Sequence, residues 1–396
     1  MVLIAADNLQ VERSLRKIVA LSEKAGAEFS DDLVLKSLDG DLSVEAPPES
    51  AGKVLVRLPW DCLVPFSPFR LSIVNDVLVI SSYEEGLTDE CIVLMDALLE
   101  LFNLTGKVAH HRRTSPWRII ISYPAILECV RQGRDREDFA LFQQFIVSGN
   151  EDELMLQSFL NSRVLGYKAS TTAPPYPVLM PVIDLFNHHF QGALFQIDEV
   201  PNKARSLAIA RSMPLPAAGT ECLACYGAHD SFDTWVTYGF VDQSALFVRS
   251  VAMTIDLPNL GTIRLTNFDK TRDRRALPPS VSDLHFYIPA LLARRADHIE
   301  VGRLLIPGPS APRALRRTLH FLIAEMSPGH SRQRDLVMEA ERQIITANQA
   351  YYRDLLAFLR TLCPQDPLQK PILRDFIHMS ELQLARIWNY LGYAKG

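Results

Sequence analysis

Pro181-Val182-Ile183-Asp184-Leu185-Phe186-Asn187-His188-His189-Phe190 is the stretch on which the reading of this chain turns. An apolar run from Val178 to Ile183 leads into an aspartate, an asparagine and two imidazoles, the pattern of a buried strand that delivers polar groups to the edge of a site. Alone, the same pattern also describes a turn beside a buried, hydrogen-bonded histidine. A second segment separates the two readings.

That segment is Gly219-Thr-Glu-Cys-Leu-Ala-Cys-Tyr-Gly-Ala-His-Asp-Ser-Phe-Asp-Thr-Trp-Val-Thr-Tyr-Gly-Phe-Val241, with one Tyr-Gly pair at Tyr226-Gly227 and another at Tyr238-Gly239. Asn187-His188 followed by a strand ending in Tyr226-Gly227, then Tyr238-Gly239-Phe240, resembles the SET-domain methyltransferases. Within them it is most similar to the branch of the Rubisco large-subunit lysine methyltransferase and the actin-histidine methyltransferase. The resemblance implies an α+β chain: a SET-type β-fold with a pseudoknot, in which the first segment is threaded beneath the loop made by the second, a helical insertion and a C-terminal α-helical domain. Its expected divisions are 1–85 for an N-terminal helix and the first part of the SET domain, 86–170 for the insertion, 171–245 for the rest of the SET domain, and 246–396 for a helical domain that holds part of a protein substrate.

On that resemblance Tyr226 is the catalytic tyrosine, orienting nucleophile and methyl group. Arg163, in the Ser162-Arg163 pair that precedes the first motif, lies near the carboxylate of S-adenosylmethionine, and Asn187 and His188 hold the cofactor. Tyr238, with Phe195 and Phe232, walls a substrate channel. One departure stands out. The family's Gly-x-Gly turn, whose backbone approaches the cofactor, corresponds here to Gly40-Asp41-Leu42-Ser43-Val44-Glu45-Ala46, with a single glycine. A close backbone approach favours Gly because a Cβ fills that space, so a SET-like peptide-binding module without catalysis is the competing reading. A methyltransferase for histidine or for a small molecule or peptide is a third.

The residues carry their own implications. Methyl transfer from a sulfonium needs a lone pair aligned behind the methyl, so positioning supplies much of the rate. A lysine substrate must also lose a proton, which a desolvated slot favours. His188, His189, His229 and Asp184 have no HExxH or His-x-His spacing, and no metal is expected.

Across 396 residues the chain is 48% hydrophobic with a formal charge of −5, which argues for a globular protein and against direct capture of nucleic acid. No apolar run suits a bilayer, so no membrane role is expected, and the N-terminal Met-Val-Leu-Ile-Ala-Ala is too short and lacks the basic start of a signal peptide. The expected location is cytoplasmic, or nuclear in a eukaryote, with a protein or peptide as partner. Six scattered cysteines read as reduced thiols, Cys222 and Cys225 being structural. Periodicity predicts helices over 8–24 with Asp7 as cap, from Thr88, over 139–147, over 151–167, and in three long C-terminal segments of which 331–362 is broken. His110-His111-Arg112-Arg113 reads as a solvated loop.

Overall fold

The first 104 residues alternate short strands with two helices, and two-residue turns join neighbouring strands. Asp39-Gly40 (φ 52° and 81°) and Asn75-Asp76 (φ 52° and 63°) both occupy left-handed backbone and close two antiparallel hairpins. The first joins Val34–Leu38 to Asp41–Glu45, and Leu3–Ala6 adds parallel to it. The structure, a computed structural model, describes residues 2–134, 140–168, 175–198, 205–213, 215, 219–268, 271–295, 297–327 and 333–394. The loop Thr171-Thr-Ala-Pro and the expected helix starts at Phe139 and Ser331 lie outside them.

The helices are α1 (Leu9–Lys24), α2 (Asp89–Leu104), α3 (Lys107–Thr114), α4 (Trp117–Ile120), α5 (Pro124–Arg134), α6 (Ala140–Ser148), α7 (Glu151–Asn161), α8 (Ser231–Tyr238), α9 (Ala314–Met326), α10 (Gln333–Leu359) and α11 (Gln369–Tyr393). Asn8, not Asp7, caps α1 by accepting from the Gln10 N–H; Asp7 instead accepts from the Asp39 N–H. The basic run His110–Arg113 is helical, not a loop: it lies in α3, with His111 buried and Arg112 directed to Asp76 and Asp152. The helix expected over 151–167 ends at Asn161, and Val164–Tyr167 is a strand paired with Tyr176–Leu179. No Gly or Pro interrupts 333–359, and α10 is continuous there.

The chain divides into two compact units, Met1–Ser115 with Asn150–Ala228, and Pro116–Gly149 with His229–Gly396. The segment 86–170 is thus shared: α2, α3 and α7 belong to the first unit and α4 to α6 to the second. The first unit centres on a core of aliphatic side chains from α1, α2 and the strands, among them Leu15, Leu35, Leu58, Met95 and Ile209. A four-stranded sheet orders Phe195–Asp198, Ser206–Ala210, Val54–Pro59 and Glu28–Phe29. The second unit is not wholly helical after 246. Met253–Leu257, Gly261–Leu265, His298–Val301 and Leu291–Arg294 form a mixed four-stranded sheet before α9 to α11. Among the described residues no helix is long and apolar enough to cross a membrane.

Candidate active site

Asn187–Ala193 follows a tight reversal. Pro181 accepts a hydrogen bond from the Ile183 N–H at 2.7 Å around Val182, whose φ is 64° and ψ −43°. That is a γ-turn with a positive central φ, strained for any residue and more so for a β-branched one. One turn of 3-10 helix, Ile183–Leu185, then delivers the chain to the strand.

The strand Asn187–Ala193 pairs parallel with Leu223–Ala224, Asn187 opposite Leu223 and His188 opposite Ala224. The two motifs are therefore neighbours. Gly192 makes the junction fit: a Cβ there would stand 2.5 Å from the Ala224 carbonyl carbon. Pairing brings Tyr226 beside His188, with ring centroids 4.9 Å apart and the Tyr226 N–H donating to His188 Nδ1 at 3.2 Å. The Tyr226 hydroxyl donates its proton to the Phe186 carbonyl at 2.6 Å, which fixes its direction.

Asn187 donates through Nδ2 to Glu221 Oε1 at 2.8 Å and to the Leu42 carbonyl at 3.4 Å. Its carboxamide oxygen carries no hydrogen bond among the described residues. Leu42 belongs to the Gly40–Ala46 stretch, so the segment corresponding to the family's glycine turn lies beside Asn187. Gly40 itself serves the hairpin, with φ 81° and a Cβ position 2.8 Å from the Thr105 carbonyl oxygen.

Arg163 meets a different partner from the expected cofactor carboxylate. Nη1 donates to Asp184 Oδ2 at 2.9 Å, and the guanidinium lies 4.9 Å from the rings of both Phe102 and Phe159. Burial raises the Asp184 carboxyl above its ordinary range, against the opposing pull of Arg163 and Lys107. Lys107 also reaches Asp41 at 3.1 Å. Arg163 Nε is buried without a hydrogen bond. His110, half-buried, is held below its ordinary pKa by burial first and then by Lys107 and Arg113. Lys107 and Arg163 thus stand beside two carboxylates, Asp41 and Asp184, with His110 close to both cations.

No protein family model matches this chain, and no curated protein does. Solved structures of similar chain course are the SET domain of LSMT bound to methyl-lysine and AdoHcy (11% identity, TM-score 0.41, covering 96% of this chain and 92% of that one) and Rubisco LSMT bound to AdoMet (11%, 0.39, 96% and 91%). Such values leave the activity to be argued from the chain's own residues.

Of the remaining expected residues, Phe195 belongs to the first unit and Tyr238 and Phe232 to the second. Phe195 opens its strand opposite Ile209, half-buried against the first unit's core. Tyr238 ends α8 in the second unit, its ring 5.8 Å from His229 and 6.0 Å from Phe240. Phe232 corrects the expectation of a channel wall. It is 0% exposed, packed on Trp235 and Phe376 and beneath the Arg134 guanidinium at 4.3 Å. Residues not singled out in the sequence are Glu221, Gly192 and Lys107, and Asp184, weighed there only as a metal ligand, engages Arg163. Only Gly192 carried a local signal, an isolated glycine within a strand pattern. Cys222 and Cys225 are buried, free thiols, and burial pushes Cys222 up to about 11 despite Arg211 Nη1 at 3.1 Å.

Proposed function

We propose that the chain is an S-adenosylmethionine-dependent methyltransferase of the SET type, with the threaded pseudoknot of that fold, acting on a protein side-chain nitrogen, lysine first and histidine second. The reading rests on one observation: the parallel pairing of Asn187-His188 with Leu223-Ala224, which sets Tyr226 on His188 with a hydroxyl fixed in direction. The residues fit the cofactor. The unused Asn187 carboxamide oxygen suits an ammonium, and the unpaired Nε of Arg163, on a guanidinium that already holds one carboxylate, suits a second. When bound, S-adenosylmethionine supplies an electrophilic methyl. The chain's part is to orient and desolvate: Tyr226 Oη accepts from the incoming amine and holds its lone pair in line, and Phe195, in the same unit, borders the approach.

A peptide-binding module without catalysis is the second reading, favoured by Arg163 being engaged by Asp184 and Gly40 by its hairpin. Calorimetry with S-adenosylmethionine separates the two. Binding near a dissociation constant of about 1 μM, weakened roughly tenfold or more in Asn187→Ala, is expected for the enzyme. Tyr226→Phe should keep that binding and lose methyl transfer to a labelled proteome by about 100-fold. No binding by the wild-type chain would favour the module.

A further inference from the structure

The hairpin Phe69–Val74 with Val77–Tyr83 is a two-stranded sheet of the first unit, and its two edges are treated differently. Val74 and Val77 flank a two-residue turn and form a hydrogen-bonded pair. In the antiparallel alternation Ser72 and Val79 are the next such pair, which leaves the N–H and C=O of Ile73 and Leu78 pointing outward, one residue to each edge. On the Leu78 edge the side chain of Asn103 acts as a substitute strand. Its Oδ1 accepts from the Leu78 N–H at 2.8 Å and its Nδ2 donates to the Leu78 carbonyl at 2.9 Å. On the Ile73 edge nothing among the described residues does this for Ile73 or for Leu71.

What stands beside that open edge is a groove of about 330 Å³, lined by Phe66 and Phe69 to Ile73 on one side and by the cap Asn150 and one face of α7, from Asp152 to Leu160, on the other. The walls match in length: five strand residues span about 14 Å and the helical wall about 15 Å. Leu156 and Leu160 give it an apolar floor. At the α7 N-terminal end the groove is lined by two carboxylates, Asp152 and Glu153, against one guanidinium, Arg70, and outside the lining Arg112 bridges Asp152 to Asp76.

We propose that this groove takes an extended, basic segment of a protein partner as a third strand on the Ile73 edge. Unpaired backbone groups supply the register, the floor takes alternate apolar side chains, and the acidic end takes a lysine or arginine. The inference goes beyond the methyl-transfer reading and holds for an enzyme or a binding module alike.

The test uses the full chain and the fluorescent, end-blocked hexapeptide Lys-Val-Thr-Val-Thr-Val, read by anisotropy beside its counterpart beginning with Glu. Ile73→Pro removes an outward N–H without touching a bond to the second strand. The expected result is saturable binding of the lysine peptide below about 1 mM, at least about tenfold weaker for the glutamate peptide and lost in Ile73→Pro. A version of the peptide N-methylated at alternate amides gives the same decision without altering the protein, and slowed amide exchange at Leu71 and Ile73 on binding locates it. Binding unaffected by both Ile73→Pro and N-methylation, equal binding of the two peptides, or no binding of either would each overturn the proposal.

Discussion

At Val182 the backbone stays in a γ-turn with positive φ although its side chain is buried and β-branched. Strain of this kind amounts to about 1–3 kcal/mol and persists where surrounding structure over-determines it. Here it sits five residues before Asn187, on the segment that aims the candidate site. Glycine relieves the strain but forfeits burial of about 1.5–2 kcal/mol and backbone entropy of about 1 kcal/mol. Alanine forfeits the burial and keeps most of the strain. Val182→Gly is therefore expected to lower the melting temperature less than Val182→Ala, the reverse of the order usual at buried positions, and calorimetric scans of the two variants read it directly. Asn187 and Tyr226 were singled out because the two motifs together resemble one family's pattern, and the strands that carry them pair. The pairings of Asn187 and Arg163 were not legible, since Glu221 and Asp184 meet them only through strand register and a turn that no local pattern announces.

Among the elements, the strand Asn187–Ala193 owes its pairing to Gly192, where a Cβ would press on the Ala224 backbone from 2.5 Å. Backbone cannot yield as a flexible side chain does, so Gly192→Ala is expected to destabilise the first unit by about 1–3 kcal/mol and to weaken S-adenosylmethionine binding with it. Gly166→Ala, also in a strand of the first unit and with its nearest neighbour at an ordinary 3.8 Å, controls for the added methyl alone. In the second unit α8 begins on a buried network. Asp230 caps the helix by accepting from the Phe232 and Asp233 N–H groups, and Asp230 and Asp233 bind Arg134 and Arg249, all four side chains at most 5% exposed. Asp230→Asn keeps the shape and removes one charge, leaving a buried guanidinium under-compensated. A loss of about 3–5 kcal/mol in urea unfolding is expected. Periodicity and caps placed α1 and the start of α2, but the helix expected over 151–167 stops at Asn161 and the hairpin of Phe69–Val74 with Val77–Tyr83 had no reading. The sheet of 253–301 and the helical state of His110–Arg113 were not readable either: the former's strands are short and joined by polar loops, and the latter's apolar face is a histidine.

For the molecule as a whole, the response to acid follows from His111. Its Nε2 lies 3.1 Å from Ser158 Oγ inside the first unit, and burial, with Arg163 adding to it, pushes its pKa down to about 3. The unfolded chain titrates this group near the ordinary histidine value of about 6.5. The folded pKa is thus depressed below the unfolded one, so the unfolded state takes up the proton first as the pH falls. The contribution to stability is complete above about pH 6.5 and is lost progressively below it, down to about pH 3. Between pH 7.5 and 5 this single group accounts for about 2 kcal/mol, from roughly 1.5 pH intervals at about 1.4 kcal/mol each. His111→Gln keeps a hydrogen-bonding partner for Ser158 and cannot titrate. The urea midpoint of the wild-type chain should fall between pH 7.5 and 5, and that of His111→Gln should fall less by the equivalent of about 2 kcal/mol. Equal slopes for the two chains would mean that His111 takes up its proton without unfolding the core around Phe159.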